Sequence, residues 1–523
     1  MGSGLLDQTE KFMKRTLAIA IATALGAAVS PSEAVMLNPR GTGQVLIYPY
    51  YTVNHQQTLV SVINTTEHGK ALKIRFREAY DGRDVANFNV YLGPHDSWVG
   101  AVGGTSDDGA GIATNDNSCT VPGFIGFGTP VPGLPRASLA FSNANYSQGA
   151  YGTATGTDHG PLGLDRTREG FFEVIEMGEV VDQASASPKT LEAITPVNGT
   201  PPGCEQVRDA WENGGYWTTN ATTDLLPPAG GLYGAAGIVD VAQGTLYAYD
   251  ATAIDGFSDV VQHTAPDNSK PNLATAITDS AHDIATAYVP IGNTMIKADY
   301  PASTRGIDAV SAMLMADRLY NEYDIESGLG AATDWVVTFP TKQFYVDPGL
   351  VPTLPGLVPQ PVQPFEAIFD AYSCHTASPQ LFDRDGFDPN SYIIVGPPPM
   401  AGGNYLCYEA DVMPIAEYGD SPSKALGSRV INPFDPFWTP YPGSPTVFPP
   451  AGHLVMAFPD AEERMRPAAN GAVFHGLPAI GFAAINYINA NVTPGVLSNY
   501  SAAYPHRAAV SCTNSANLSN ACL

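Results

Sequence analysis

The sequence predicts a mainly β protein, an antiparallel β-sandwich of immunoglobulin-like or jelly-roll-like type, carrying long loops and partly helical insertions. Three observations point there. Short runs in which apolar and polar residues alternate recur about every ten residues. The chain holds 52 Gly and 45 Pro in 523 residues, which interrupts any helix before it can join a bundle. At 44% apolar and 10% aromatic residues it can bury large cores, so disorder is excluded.

The elements follow in chain order. Lys14 and Arg15 precede a thirteen-residue apolar run, 17–29, and Ser32 and Ala34 supply small residues at the −3 and −1 positions. This is a secretory signal pattern, with the start at Met13, residues 1–34 removed and Val35 leading the mature chain. A membrane span needs about 20 apolar residues, so no integral membrane segment is expected after cleavage.

Residues 35–190 are assigned to an N-terminal sandwich. QVLIYPYY, QTLVSVINT, KALKIRFRE, ANFNVYLG and SWVGAV read as five strands. In the third, Leu72, Ile74 and Phe76 alternate with Lys73, Arg75 and Arg77, predicting one buried and one wet face. Asp81-Gly82 tolerates positive φ and joins the third and fourth strands as a hairpin. Residues 105–165 lose periodicity and read as a long loop. GFFEVIEMGEVV, from Gly170, is apolar on both faces and reads as a central strand.

Residues 191–330 are mixed, with helices expected at 205–212 and 307–320; the second aligns Ile307, Val310, Met313 and Leu314 on a core-facing stripe. In residues 331–523 strands return as DWVVTF, QFYVD, YIIVG, NYLCYEADV, HLVMAF and VFHGLPAIGFAAINYI. This region either completes the first sandwich or forms another. A proline-rich strap from Asp347 favours extended backbone. A second proline-dense stretch interleaves Phe434, Phe437, Trp438 and Tyr441, either a loop pinned over a core or an exposed aromatic platform for a glycan or protein.

Cys119, Cys204, Cys374, Cys407, Cys512 and Cys522 are an even set in a chain bound for an oxidising space, so disulfides are expected. Six cysteines allow 15 pairings. Short loops favour Cys374 with Cys407 and Cys512 with Cys522, leaving Cys119 with Cys204.

The net charge of −26 excludes nucleic acid as a partner, because phosphate binding needs a cationic surface. The G-x-S-x-G elbow, the H-E-x-x-H zinc helix and the phosphate-binding loop are all absent from the sequence. Glu173 and Glu176 interrupt an apolar strand as candidate carboxylates. Three residues apart on a strand, they point to opposite faces and cannot share a site; each is expected to meet an Arg such as Arg166 or Arg168. Calcium is the candidate ion: Asp383, Asp385 and Asp388 alternate around Gly386, although Leu381 stands where a full loop begins with an acid. An ordinary Asx turn is the alternative.

The segments GTGQVLIYPYYTVN, IRFREAYDGRDVANFNVYLGPHDSW, LDRTREGFFEVIEMGEV and TDWVVTFPTKQFYVD resemble exported β-rich proteins of Gram-negative bacteria, a group with no assigned function. The resemblance implies export and a β-rich body, and carries over no catalytic residue. The leading expectation is therefore a secreted or cell-surface protein with a binding, adhesion or structural role, its partner a protein or glycan at the cell surface. The alternatives are an extracellular carbohydrate-active hydrolase using paired carboxylates and a self-assembling envelope or surface-layer subunit.

Overall fold

In the computed structural model the described residues are 34–124, 138–147, 158–351, 358–386, 404–415, 423–430, 449–459, 462–489, 493, 495–496 and 498–522. Residues 1–33, Asp388, Phe434, Phe437, Trp438 and Tyr441 lie outside them. Ala34–Leu523 forms one compact unit. The protein is mainly β with few helices, and every strand ladder among the described residues is antiparallel.

Glu169–Val180 is the central strand, paired on one side with Val45–Thr52 and on the other with Gly69–Glu78, which in turn pairs with Asp84–Leu92. All twelve of its residues are buried, as expected for a strand covered on both faces. A second sheet orders Thr245–Asp250, Leu232–Asp240, Gln57–Asn64, Ser97–Gly104, Ala110–Ala113 and Ser138–Ala140. The two sheets meet across an aromatic core. Phe172 stacks on Tyr48 at 4.1 Å and on Phe76 at 4.6 Å, while Phe88 meets Trp98 of the second sheet at 5.6 Å. Tyr48 also donates its hydroxyl to Ser61 O at 2.7 Å, and residue 234 must be glycine because a Cβ there would fall on that hydroxyl.

Residues 105–165 contribute three short strands, Ala110–Ala113, Cys119–Val121 and Ser138–Ala140, where loop was expected. Too short to show periodicity, they are recruited by pairing with sheet edges. Residues 225–255 also enter the N-terminal sheets, so sheet membership does not follow chain segments.

The Tyr80–Arg83 turn closes the expected hairpin, with Gly82 at φ +65. The expected wet face is a correction: Lys73, Arg75 and Arg77 are at most 2% exposed. Residues 263–272 cross over this face. Lys73 Nζ donates to Ala265 O at 2.6 Å, Arg75 Nη1 to Pro271 O at 3.1 Å, and the Arg77 guanidinium lies over the Phe344 ring. Alternation marks two environments, and a polar face stays buried when its charges are paired.

The expected helix at 307–320 is Ala302–Leu314. It stops early because Met315–Ala316 pairs with Leu477–Pro478 and Arg318–Asp324 enters a five-stranded sheet beside Ala451–Ala457. QFYVD, read as a strand, contains the short helix Gln343–Val346. A four-stranded sheet orders Ala410–Ile415, Ala331–Thr338, Ile480–Tyr487 and Tyr500–Pro505. It joins the N-terminal sheets through Thr338, whose hydroxyl donates to Pro49 O at 2.6 Å, and through Phe482 stacked on Tyr249. Disulfides link Cys119 to Cys204, Cys374 to Cys407 and Cys512 to Cys522, the pairing that short loops favour.

Candidate functional site

Where the N-terminal and C-terminal sheets meet, a polar pocket of about 370 Å³ is lined by residues 54–56, by Asp240, Gln243 and Thr245, by Ser423, Lys424, Ala425 and Gly427, and by Asn486 and Ile488. Each wall has a separate origin. The turn after Val45–Thr52 supplies Asn54, His55 and Gln56, with His55 at φ +62. The turn after Leu232–Asp240 is held by Asp240, whose Oδ1 accepts from Gln243 N at 2.9 Å. Asn486 sits on Ile480–Tyr487.

The wall at 423–430 has no regular structure, and two buried carboxylates take the place of a ladder. Asp334 Oδ2 accepts from Ser423 Oγ at 2.6 Å, Ala425 N at 2.9 Å and Leu426 N at 2.8 Å. Glu169 accepts from Ser428 Oγ and Arg429 N, both at 2.6 Å, from Tyr50 Oη at 2.6 Å, and from Asn54 Nδ2. Burial pushes both acids above the ordinary carboxylate range while these donors pull them back. Backbone N–H groups that would otherwise be buried unpaired are satisfied, and the loop has a defined shape.

Gln56 completes this wall by donating Nε2 to Ala425 O at 2.9 Å. That bond fixes the orientation of the amide, so Oε1 is its free acceptor, and it accepts no hydrogen bond. Asn486 Oδ1 is likewise buried. Beneath it Tyr247 is fully buried, which raises its hydroxyl pKa, while the Asn486 amide that faces this hydroxyl draws it down.

A second concavity, about 580 Å³, is an open groove on the outward face of Gln57–Asn64, Ser97–Gly104 and Leu232–Asp240. Its lining is apolar or small, with Leu59, Val99 and Leu246 half-exposed, and none of the lining residues is charged.

The residues singled out from sequence are dispersed. Glu173 is bonded to Arg75 and Arg77, and Glu176 to Lys70 at 2.8 Å, in place of the expected Arg166 and Arg168. Arg166 instead holds Glu78 and Asp158, and Arg168 holds Asn54 and Asp108. Asp383 and Asp385 form an Asx turn, Asp383 Oδ1 accepting from Asp385 N at 2.9 Å, with Gly386 at φ +77. Among the described residues no cluster of three His, Cys, Asp or Glu is placed to hold a metal ion. The pocket residues went unnoticed in the sequence because four distant segments supply them and none forms a local motif.

No protein-family model, curated protein or solved structure matches the chain. Three disulfides are compatible with folding in an oxidising space, and among the described residues no helix is long and apolar enough to cross a membrane.

Proposed function

We propose that this is an exported or cell-surface binding protein that recognises its partner, a glycan or protein, in the polar pocket between the sheets. The observation that carries this reading is the pre-shaped wall: residues 423–430 are held by Asp334 and Glu169, so a ligand meets a loop whose ordering cost has already been met. Glu169 engages both its oxygens and Asp334 its Oδ2 in holding the wall, which favours recognition over carboxylate-driven hydrolysis. Export is supported by the basic and apolar leader ending at Ala34.

Two measurements test this. N-terminal sequencing of the protein recovered outside the cytoplasm should begin at Val35; an intact Met1 or Met13 there overturns the export assignment. Labelled protein should bind isolated envelope material, and Asp334→Ala, by releasing the wall, should abolish that binding. Retained binding in a folded Asp334→Ala protein removes the pocket from the function.

Self-assembly is a second reading, favoured by the outward groove. Two copies each carrying a charge of −26 can meet without like-charge contact over a lining that bears no charge. Light scattering after size-exclusion chromatography distinguishes a dimer, disrupted by Leu59→Glu, from a monomer.

A further inference from the structure

We infer that a second copy of this chain docks on the outward groove, sheet face to sheet face, with Leu59 of each copy seated on the bare backbone of Gly237 of the other. This rests on the self-assembly reading above and gives that interface its axis and its contacts.

Leu59 and Gly237 are direct partners in the ladder between Gln57–Asn64 and Leu232–Asp240, so they lie side by side on the same outward face. One is a knob, 46% exposed, and the other is a gap. A two-fold axis lying in the interface, parallel to these two strands and midway between them, carries each leucine onto the other copy's glycine. Ala101 pairs with the far side of Leu59 and Ala248 with the far side of Gly237, so the same axis lays Ala101 over Ala248, and it lays Ser61 over Ala235. Small residues then meet small ones around one knob and one gap, and the face is complementary to itself.

The fold of a single copy does not demand glycine at position 237. Gly234 in the same strand leaves room for the Tyr48 hydroxyl, but among the described residues only the tip of Leu246, 2.9 Å away, comes within 4 Å of a Cβ at Gly237. That tip is the end of a flexible, half-exposed side chain and can turn aside, and the glycine is outside the left-handed region of backbone space. Glycine inside a strand weakens it and marks a place where another backbone or a ligand comes close.

Charge and area select the occupant. Copies of net charge −26 repel one another on most approaches, yet the lining bears no charge. An acidic or a basic partner finds no ion pair on it, whereas a second copy brings a matching uncharged face. Four strands about 4.8 Å apart and about 20 Å long present roughly 400 Å² of flat face on each copy, small for a permanent interface, so the dimer is reversible and depends on concentration.

The experiment is sedimentation velocity of the full oxidised chain over a hundredfold concentration range at low and at moderate salt. A monomer–dimer equilibrium is expected, tighter at the higher salt because repulsion between the copies is screened. Leu59→Gly and Gly237→Leu should each weaken association tenfold or more. Both changes in one chain exchange knob and gap and should restore most of it, with circular dichroism reporting that each variant is folded. Should one fail to fold, cross-linking tests the same axis: Ala101→Cys and Ala248→Cys proteins, mixed, should be joined by a short bis-maleimide, while neither alone should be. The six native cysteines are all in disulfides and do not compete for the reagent. A dimer that ignores both single changes, a double variant weaker than either single one, or a mixture that does not cross-link overturns this pairing and leaves self-assembly through another surface. If no dimer forms at any concentration or salt, the pairing and the self-assembly reading fall together.

Discussion

Between pH 5.5 and 8.5 the buried Glu409 should contribute a progressive loss of stability, and Glu409→Gln should remove that contribution. Glu409 is fully buried beneath the Gly82 turn, where Arg77 and Lys342 draw its charge and Glu78 opposes it. One oxygen accepts from Gln343 N at 3.3 Å, and Oε2 accepts no hydrogen bond. Burial outweighs the two cations and pushes the carboxyl up to about 8. Asp411, which faces Lys342, is raised to about 7 for the same reason, and Asp347, beside Arg83, to about 6. An acid whose folded pKa is raised holds its proton in the folded state while the unfolded chain has released it. The stability it contributes is complete below the unfolded pKa and is lost as pH rises through the folded one. Each such group contributes a slope of up to about 1.4 kcal/mol per pH unit. Glu409 alone then accounts for roughly 3 kcal/mol between pH 5.5 and 8. Lys73 and Lys342, lowered to about 7 and about 8, and His263, His375 and His506, held neutral by burial, act in the opposite direction, so the Glu409 contribution is read as the difference between wild type and variant. Urea unfolding of the oxidised protein, followed by tryptophan fluorescence at pH 5.5, 7.0 and 8.5, measures the slope. Glutamine mimics the protonated acid, so the variant's stability should gain on that of wild type as the pH rises over this range. Parallel pH profiles for wild type and variant would refute the argument, because they would mean that Glu409 holds no proton the unfolded chain lacks.

Gly82→Ala should cost about 2 kcal/mol or more, since it forces φ +65 on a residue with a Cβ and drives that Cβ into Glu409; the same urea midpoints measure it. Asp334→Ala strands three donors of the 423–430 wall and should destabilise by about 3 kcal/mol, whereas Asp334→Asn, which keeps one acceptor, should lose less. Opening the Cys374–Cys407 bridge by a double Cys→Ala change frees a separation of 33 residues and should cost about 3 to 4 kcal/mol in the chain-entropy model; peptide mapping without reduction should recover all three bridges from the parent protein. Arg75→Met removes a cation shared by Glu173 and Asp84 and should lower stability more than Arg75→Lys, measured by the shift in melting temperature.

What the sequence determined by itself is whatever local pattern encodes. The alternation of Leu72, Ile74 and Phe76 with basic residues marks a strand, Asp81-Gly82 supplies the positive φ of its turn, and the run from Gly170, apolar on both faces, marks a strand covered on both sides. The disulfide pairing was legible for a similar reason, because short loops close at the least entropic cost. What only the tertiary structure decided concerns partners far apart in the chain. The basic face of Gly69–Glu78 reads as wet until residues 263–272 are seen to cross it, since alternation reports two environments without saying what covers the second. The helix from Ala302 ends at Leu314 because a distant strand claims Met315, and within QFYVD the residues Gln343–Val346 are helical. The pocket is the extreme case. Gln56, Asp240, Ala425 and Asn486 follow no common spacing and converge because separate sheets pack together, while Asp334 and Glu169 hold the loop between them. A hydrogen bond depends on position in space, and for a site built from four segments that position exists only once the chain has folded.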